Sequence, residues 1–281
     1  MQYDSQRLKK ILIQTKRQVF SEIPGDNASI LKGEGYDFCE LREYEYGEDV
    51  KNIDWVISAK MQKPYVKLFH AQKELNIVIT ALMSGSIFFG SQRLKQELLT
   101  EIAAILGYSS IKQNDPFTSF VYNSTLHINT QKTKKISAVK TMSEQFFNYA
   151  CLGKSIDYAA LQTTLVSQIK KRSILFLIGD FIECNDLDLK LLNRKHEVCV
   201  IILRDKYEEK PIELGNVHLI DSNNYRAFEG SISPSLIASY QAQIKKADHE
   251  LFTKLQKSGI KFTKIYTHEN PISKLIGLLH A

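Results

Sequence analysis

The sequence predicts an α/β protein of three layers: a mainly parallel sheet with helices on both faces, preceded by a small β-rich section. Three observations carry this. From Leu75 onward, short runs dense in Val, Ile and Leu alternate with stretches of helical periodicity, as strand–helix–strand units do. Three of these runs, LNIVITAL from Leu75, SILFLIG at Ser173 to Gly179 and VCVIIL at Val198 to Leu203, are apolar without alternation, as strands buried on both faces must be. Each stops abruptly at small or acidic residues: Ser84-Gly85-Ser86, Asp180 and Asp205.

Taken in order, residues 5 to 20 place Leu8, Ile11, Leu12, Thr15 and Val19 on one helical face, with Arg7, Lys9, Lys10, Lys16 and Arg17 on the others. Pro24-Gly25-Asp26-Asn27 breaks the chain. DFCELREY and YVKLF are strand candidates in the next section, with a turn at Tyr46-Gly47-Glu48-Asp49. After the first buried strand, Leu94, Leu98, Ile102, Ile105 and Leu106 stripe a helix expected to end at Gly107. Phe117 to Tyr122 is the next strand, and Asn123-Ser124 turns it into an antiparallel partner at Leu126 to Asn129.

Two helices follow, one carrying Ile136, Val139, Met142 and Phe146, the other Leu161, Leu165 and Ile169. Leu187 to Leu192 is a short helix between the second and third buried strands. Asn216 to Asp221 and Tyr225 to Phe228 form a hairpin around Ser222-Asn223-Asn224. A long helix runs from Pro234 to Gly259, Ile260 to Tyr266 is the last strand, and Pro271 opens a closing helix. The organisation expected is a helix over 1–22, a β-rich section over 23–73 and the α/β domain over 74–281.

The bulk properties exclude several classes. Apolar residues make up 43% and charged residues 24%, ordinary for a folded chain of 281 residues. Cys39, Cys151, Cys184 and Cys199 are widely spaced, so neither a zinc ribbon nor a disulfide framework is expected, and reduced thiols point to a cytoplasmic protein. No apolar run approaches the ~18 residues of a membrane span, and Met1 to Phe20 is too polar for a signal peptide. There is no Gly-x-x-x-x-Gly-Lys-Ser/Thr loop and no Gly-x-Gly-x-x-Gly after a strand, and Ser84 does not sit in a Gly-x-Ser-x-Gly elbow. His196 and His218 read as packed or surface groups. The lysine clusters at 132–135 and 170–172 lack interleaved aromatics, which argues against a nucleic-acid surface.

Parallel strand ends share one edge of a sheet, so Ser84, Ser86, Asp180 and Asp205 are expected in one region. Hydroxyls with carboxylates suit a hard cation such as Mg²⁺. This arrangement resembles the von Willebrand factor A-type domain, whose metal-ion-dependent adhesion site combines an Asp-x-Ser-x-Ser loop, a Thr and a later Asp. On that resemblance Ser84, Ser86, Ser155 and Asp180 are the metal positions, and Leu82 stands where the family has its first Asp. Loss of that carboxylate implies a degenerate site with weak Mg²⁺ binding or none. Purely local roles are the alternative: Ser84 and Ser86 capping a turn, Ser155 starting a helix, Asp180 accepting loop amides.

Upstream lies Arg42-Glu43-Tyr44, Gly47-Glu48-Asp49, Lys51, Ile53-Asp54-Trp55 and Ser58-Ala59-Lys60. This ordered run is similar to the signature of the bacterial "domain of unknown function 58" family, and the resemblance extends through residues 33 to 230. It implies a von Willebrand A-like core and association with MoxR-type AAA ATPases in chaperone-like assembly of a client complex. Arg42, Glu43, Tyr44, Gly47, Asp49, Asp54 and Trp55 then form a structural or partner-binding signature, with an Arg42–Asp54 ion pair and Trp55 as a packing anchor expected. The function expected is a non-enzymatic interaction module. A metal-dependent hydrolase or nuclease using Asp180 and Asp205 is the alternative, and nucleic-acid binding a weaker one.

Overall fold

The computed structural model describes residues 2–22, 38–46, 50–69 and 74–280. Two compact units emerge: Lys32–Glu74, and a larger one formed by Met1–Leu31 with Leu75–Ala281.

The larger unit begins with α1 (Gln2–Arg17), which passes into a π-helical segment, Gln18–Glu22. Leu8, Thr15 and Val19 are buried along one face, as the spacing requires. The smaller unit pairs β1 (Phe38–Glu43) antiparallel with β2 (Tyr65–Phe69), and between them stands α2 (Trp55–Met61). The strand candidates of this section are therefore present, whereas the helix was not expected. Asp54 is its N-cap, accepting the amides of Val56 and Ile57 at 3.0 and 3.1 Å, and Gln62 closes it in the left-handed region. The Gly25 break and the Gly47 turn lie outside the described residues.

The main sheet has six strands: β3 (Ile77–Leu82), β4 (Phe117–Tyr122), β5 (Leu126–Thr133), β6 (Ile174–Gly179), β7 (Glu197–Arg204) and, after the hairpin β8 (Leu214–Ile220) and β9 (Ala227–Ile232), β10 (Lys261–Tyr266). Their spatial order is β10-β7-β6-β3-β4-β5, all parallel except the edge strand β5. This is the doubly wound order, starting in the middle and building outward first one way and then the other. It is the three-layer α/β architecture expected, a mainly parallel sheet with helices on both faces.

Side chains alternate between two cores, as a strand period of two dictates. Ile77, Ile79, Ala81 and Met83, with Phe176, Ile178, Cys199, Ile201 and Leu203, face α3 (Lys95–Lys112), α4 (Ile136–Phe147) and α9 (Pro271–His280). Val78, Leu82, Leu175, Leu177, Val198, Val200 and Ile202 face α5 (Tyr158–Gln168), α6 (Lys190–Lys195) and α8 (Pro234–Lys257). One further helix, α7 (Lys206–Glu209), follows β7 directly.

Two boundaries differ from expectation. Helix α3 runs through Gly107 to Lys112, because Gly107 is a packing glycine: a Cβ there would stand 3.1 Å from Val139 of α4. The short helix α6 starts at Lys190, since Leu187 and Leu189 are spent as buried loop residues and not as helix. Among the described residues no helix is long and apolar enough to cross a membrane.

Candidate functional site

Strand order reverses between β3 and β6, the first and fourth strands of the main sheet, and ligands of doubly wound folds bind outside the carboxyl ends at such a point. The Ser84 loop follows β3 and Asp180 follows β6, so two sequence-predicted positions meet there. Ser84 Oγ and Ser86 Oγ share a hydrogen bond of 2.8 Å, and the Ser86 hydroxyl is among the groups that favour the ionised Asp180 carboxyl. Ser155 is exposed; the loop that carries it is tied in through the Gly85 amide, which donates to Lys154 O at 2.9 Å. The helix after this loop is capped by Asp157, whose Oδ1 accepts the Ala160 amide, and not by Ser155.

Leu82 is fully buried in the apolar cluster with Tyr122, Phe181 and Val78, and Gly179 on the neighbouring strand leaves space for it. The main finding at this edge is a residue that sequence reasoning missed. Lys95, the first residue of α3, is wholly inaccessible to solvent, and its Nζ donates to Asp180 Oδ2 at 3.0 Å. The same ammonium bonds Glu208 of α7. The sequence carries no signal for it: only in the fold is α3 buried almost all round, from Lys95 to Ser110, and an ammonium there has to meet carboxylates.

Behind this contact lies a wider ionic network. Arg204 Nη1 bonds the Asp180 carbonyl, and Arg204 Nη2 bonds Asp248 Oδ1 at 2.8 Å. Lys264 joins Asp248, at 2.7 Å, to Glu209. Asp205 is saturated: it accepts the Ser91 amide and hydroxyl, the Tyr207 amide and the Thr267 hydroxyl. Its own amide donates to Glu208 Oε2 at 2.9 Å, completing a capping box around α7.

Protonation follows from these contacts. Burial pushes the Asp180 carboxyl up, but the Lys95 charge, the Ser86 hydroxyl and Arg204 outweigh it and hold it below the ordinary carboxylate value. Burial likewise opposes ionisation of Asp248, and Arg204 and Lys264 overcome it. At Glu208 burial prevails over Lys95, and the carboxyl is raised. The loop after β6 is also conformationally costly, because Phe181 and Glu183 both hold positive φ, at 52° and 55°.

The hairpin β8–β9 seats its tip on this edge. The Ser86 amide donates to Asn223 Oδ1 at 3.1 Å and the Gly153 amide to Ser222 O at 2.8 Å. Only glycines admit the approach: a Cβ on Gly85 would overlap the Ser222 carbonyl, and one on Gly153, at φ +74°, would overlap the Tyr225 ring. Around the rim Phe88, Phe89, Leu152 and Tyr225 are exposed.

In the smaller unit the described signature residues make local contacts. Asp54 caps α2, and Arg42 Nη1 lies 3.3 Å from Glu45. Trp55 stands on the first turn of α2. Glu43 pairs with Lys63 at 2.9 Å, and the Tyr44 amide donates to Pro64 O. Gly47 and Asp49 lie outside the described residues.

Curated relatives include the uncharacterized proteins Rv1480 of Mycobacterium tuberculosis strain H37Rv and Mb1516 of Mycobacterium bovis, each 24% identical over 236 residues, or 82% of this chain and 74% of theirs. Among solved structures the chain is similar to the conserved hypothetical protein BatB from Bacteroides thetaiotaomicron, at 10% identity and TM-score 0.45 over 73% of this chain and 97% of that one. The SpRpn10 VWA domain aligns at 8% identity and TM-score 0.38, over 73% and 94%. Residues 40–250, three-quarters of the chain, match the model of the family described as "Protein of unknown function DUF58", and the protein belongs to that family.

Proposed function

We propose that this protein is a non-enzymatic interaction module that works with a MoxR-type AAA ATPase in the assembly or remodelling of a client complex. The observation that carries the reading is the state of the acids at the sheet edge. Asp180 and Glu208 are both bonded to Lys95, Asp248 is paired with Arg204 and Lys264, and Asp205 is held by four donors. Carboxylates so engaged are poorly placed to act as general base or to hold a catalytic metal, which weighs against a hydrolase or nuclease using Asp180 and Asp205.

Exposed aromatic side chains at a rim are what a protein partner uses as anchors. Phe88 and Phe89, which follow the Ser84 loop, and Leu152 and Tyr225, which flank the Gly153 contact, are all exposed. The ATPase partner rests on the family resemblance, and the edge is the surface we assign to it.

The test is co-elution of the purified chain with the MoxR-type ATPase encoded in the same genome, with and without nucleotide. A Phe88→Ser/Phe89→Ser variant is expected to reduce association at least tenfold, the effect of losing one anchor worth about 1.4 kcal/mol or more. Absence of association by the wild-type chain in every nucleotide state removes the ATPase as partner.

A further inference from the structure

A von Willebrand A-type loop implies a divalent cation, and the residues of this chain do not fit one. Mg²⁺ needs several oxygen ligands in octahedral array and negative charge to balance its own. The first carboxylate position is Leu82, enclosed by apolar side chains, and the group lying against Asp180 is an ammonium. We propose that Lys95 is the resident cation of the site: its ammonium joins Asp180 after β6 to Glu208 of α7 in place of a metal ion, so the edge is assembled from the polypeptide alone.

Four observations support the assignment. First, the Lys95 side chain has no solvent exposure, and the carboxylates it touches come from separate segments, the β6 end and α7. Joining groups from different strand ends is what a bound ion does for a loop cluster. Second, the Ser86 hydroxyl favours the ionised form of Asp180, and Ser86 is bonded in turn to Ser84. The hydroxyl pair thus orients the carboxylate that holds the ammonium, much as outer ligands orient a metal's carboxylate.

Third, the location is costly without such a purpose. A cation at a helix N-terminus opposes the helix dipole, and a buried one without counter-charges is worse. The two carboxylates remove both penalties. Fourth, charge is reduced on both sides: an ammonium carries half the charge of Mg²⁺, Leu82 supplies no carboxylate, and burial raises the Glu208 carboxyl towards its neutral form. The missing acid and the built-in monocation are one substitution seen from two sides.

A tethered ammonium cannot be chelated or exchanged. Removing it should uncover a cation site, because the Asp180 and Glu208 carboxylates would then face the vacated volume. The test is a titration with Mn²⁺ as probe, read by electron paramagnetic resonance and by thermal melting in EDTA or millimolar Mn²⁺. The wild-type chain is expected to take up no saturable equivalent and to melt at the same temperature in both conditions. Lys95→Ala is expected to bind one equivalent and to rise in Tm by on the order of 5 °C with the ion, a gain abolished by adding Asp180→Asn.

One-to-one uptake by the wild-type chain, lost in Asp180→Asn, overturns the proposal, and so does a folded Lys95→Ala that ignores the ion. Should Lys95→Ala fail to fold, the wild-type titration decides alone.

Discussion

Lys95 shows how one side chain can set the energetics of a sheet edge. Its ammonium and the Asp180 carboxylate are both sealed from water. Such a pair is close to neutral for stability relative to an apolar pair, yet removing one member strands the other's charge. We therefore expect Lys95→Met to lower unfolding free energy by about 3–5 kcal/mol. The double variant Lys95→Met/Asp180→Leu is expected to recover most of that loss in urea denaturation, and a double variant no better than the single one would contradict the pairing. Sequence reading found Asp180 from its place after an apolar run, but had no means of finding Lys95. A lysine in a helical stretch is ordinarily a solvated residue, and only the long-range packing of α3 against the sheet reveals that this one has no water.

At the scale of elements, the hairpin β8–β9 and the loops at Gly85 and Gly153 act as a unit. Substituting Gly85→Ala places a methyl group against the Ser222 backbone, which cannot move aside as a side chain can. We expect hydrogen-exchange protection to fall across Asn216–Gly230 at a cost of about 1–3 kcal/mol. Gly215→Ala, whose Cβ would meet nothing within 4 Å, should leave protection unchanged. Elements of the larger unit were legible because their signals are local: period two, period 3.6, and Pro and Gly at the ends. What failed were signals with two readings. Gly107 resembles a helix stop but is a contact with Val139, and Asp54, read as an ion-pair partner, is also the N-cap of an unexpected helix. The hairpin itself was expected, whereas its landing on the Ser84 loop, about 140 residues away in sequence, depends on the assembled sheet.

For the molecule as a whole, stability should fall on the acid side in two stages. His196 is buried with neither ring nitrogen bonded among the described residues, and burial lowers its pKa, with Lys195 adding to the effect. The unfolded chain then takes up the proton first, so stability present above about pH 6.5 is lost as pH falls through the lowered value. Asp180, Asp205 and Asp248 are also lowered, so the stability they contribute above about pH 4 is lost below it. Glu208 is raised and runs the other way: its ionised form is disfavoured in the fold, and the penalty is relieved as pH drops. Urea midpoints measured between about pH 7 and 5 should decline for the wild-type chain and stay nearly level for His196→Leu. An equal slope in both would assign that limb to other groups.

The seat of the hairpin also bears on how this protein can be recombined with its relatives. Tip, Gly85 and Gly153 are three distant stretches of sequence that form one joint, since each glycine is a vacancy shaped to a backbone or ring of the tip. A chimera that exchanges residues 214–232 alone therefore carries half a joint. Only grafts that move the hairpin together with both glycine loops would be interchangeable parts.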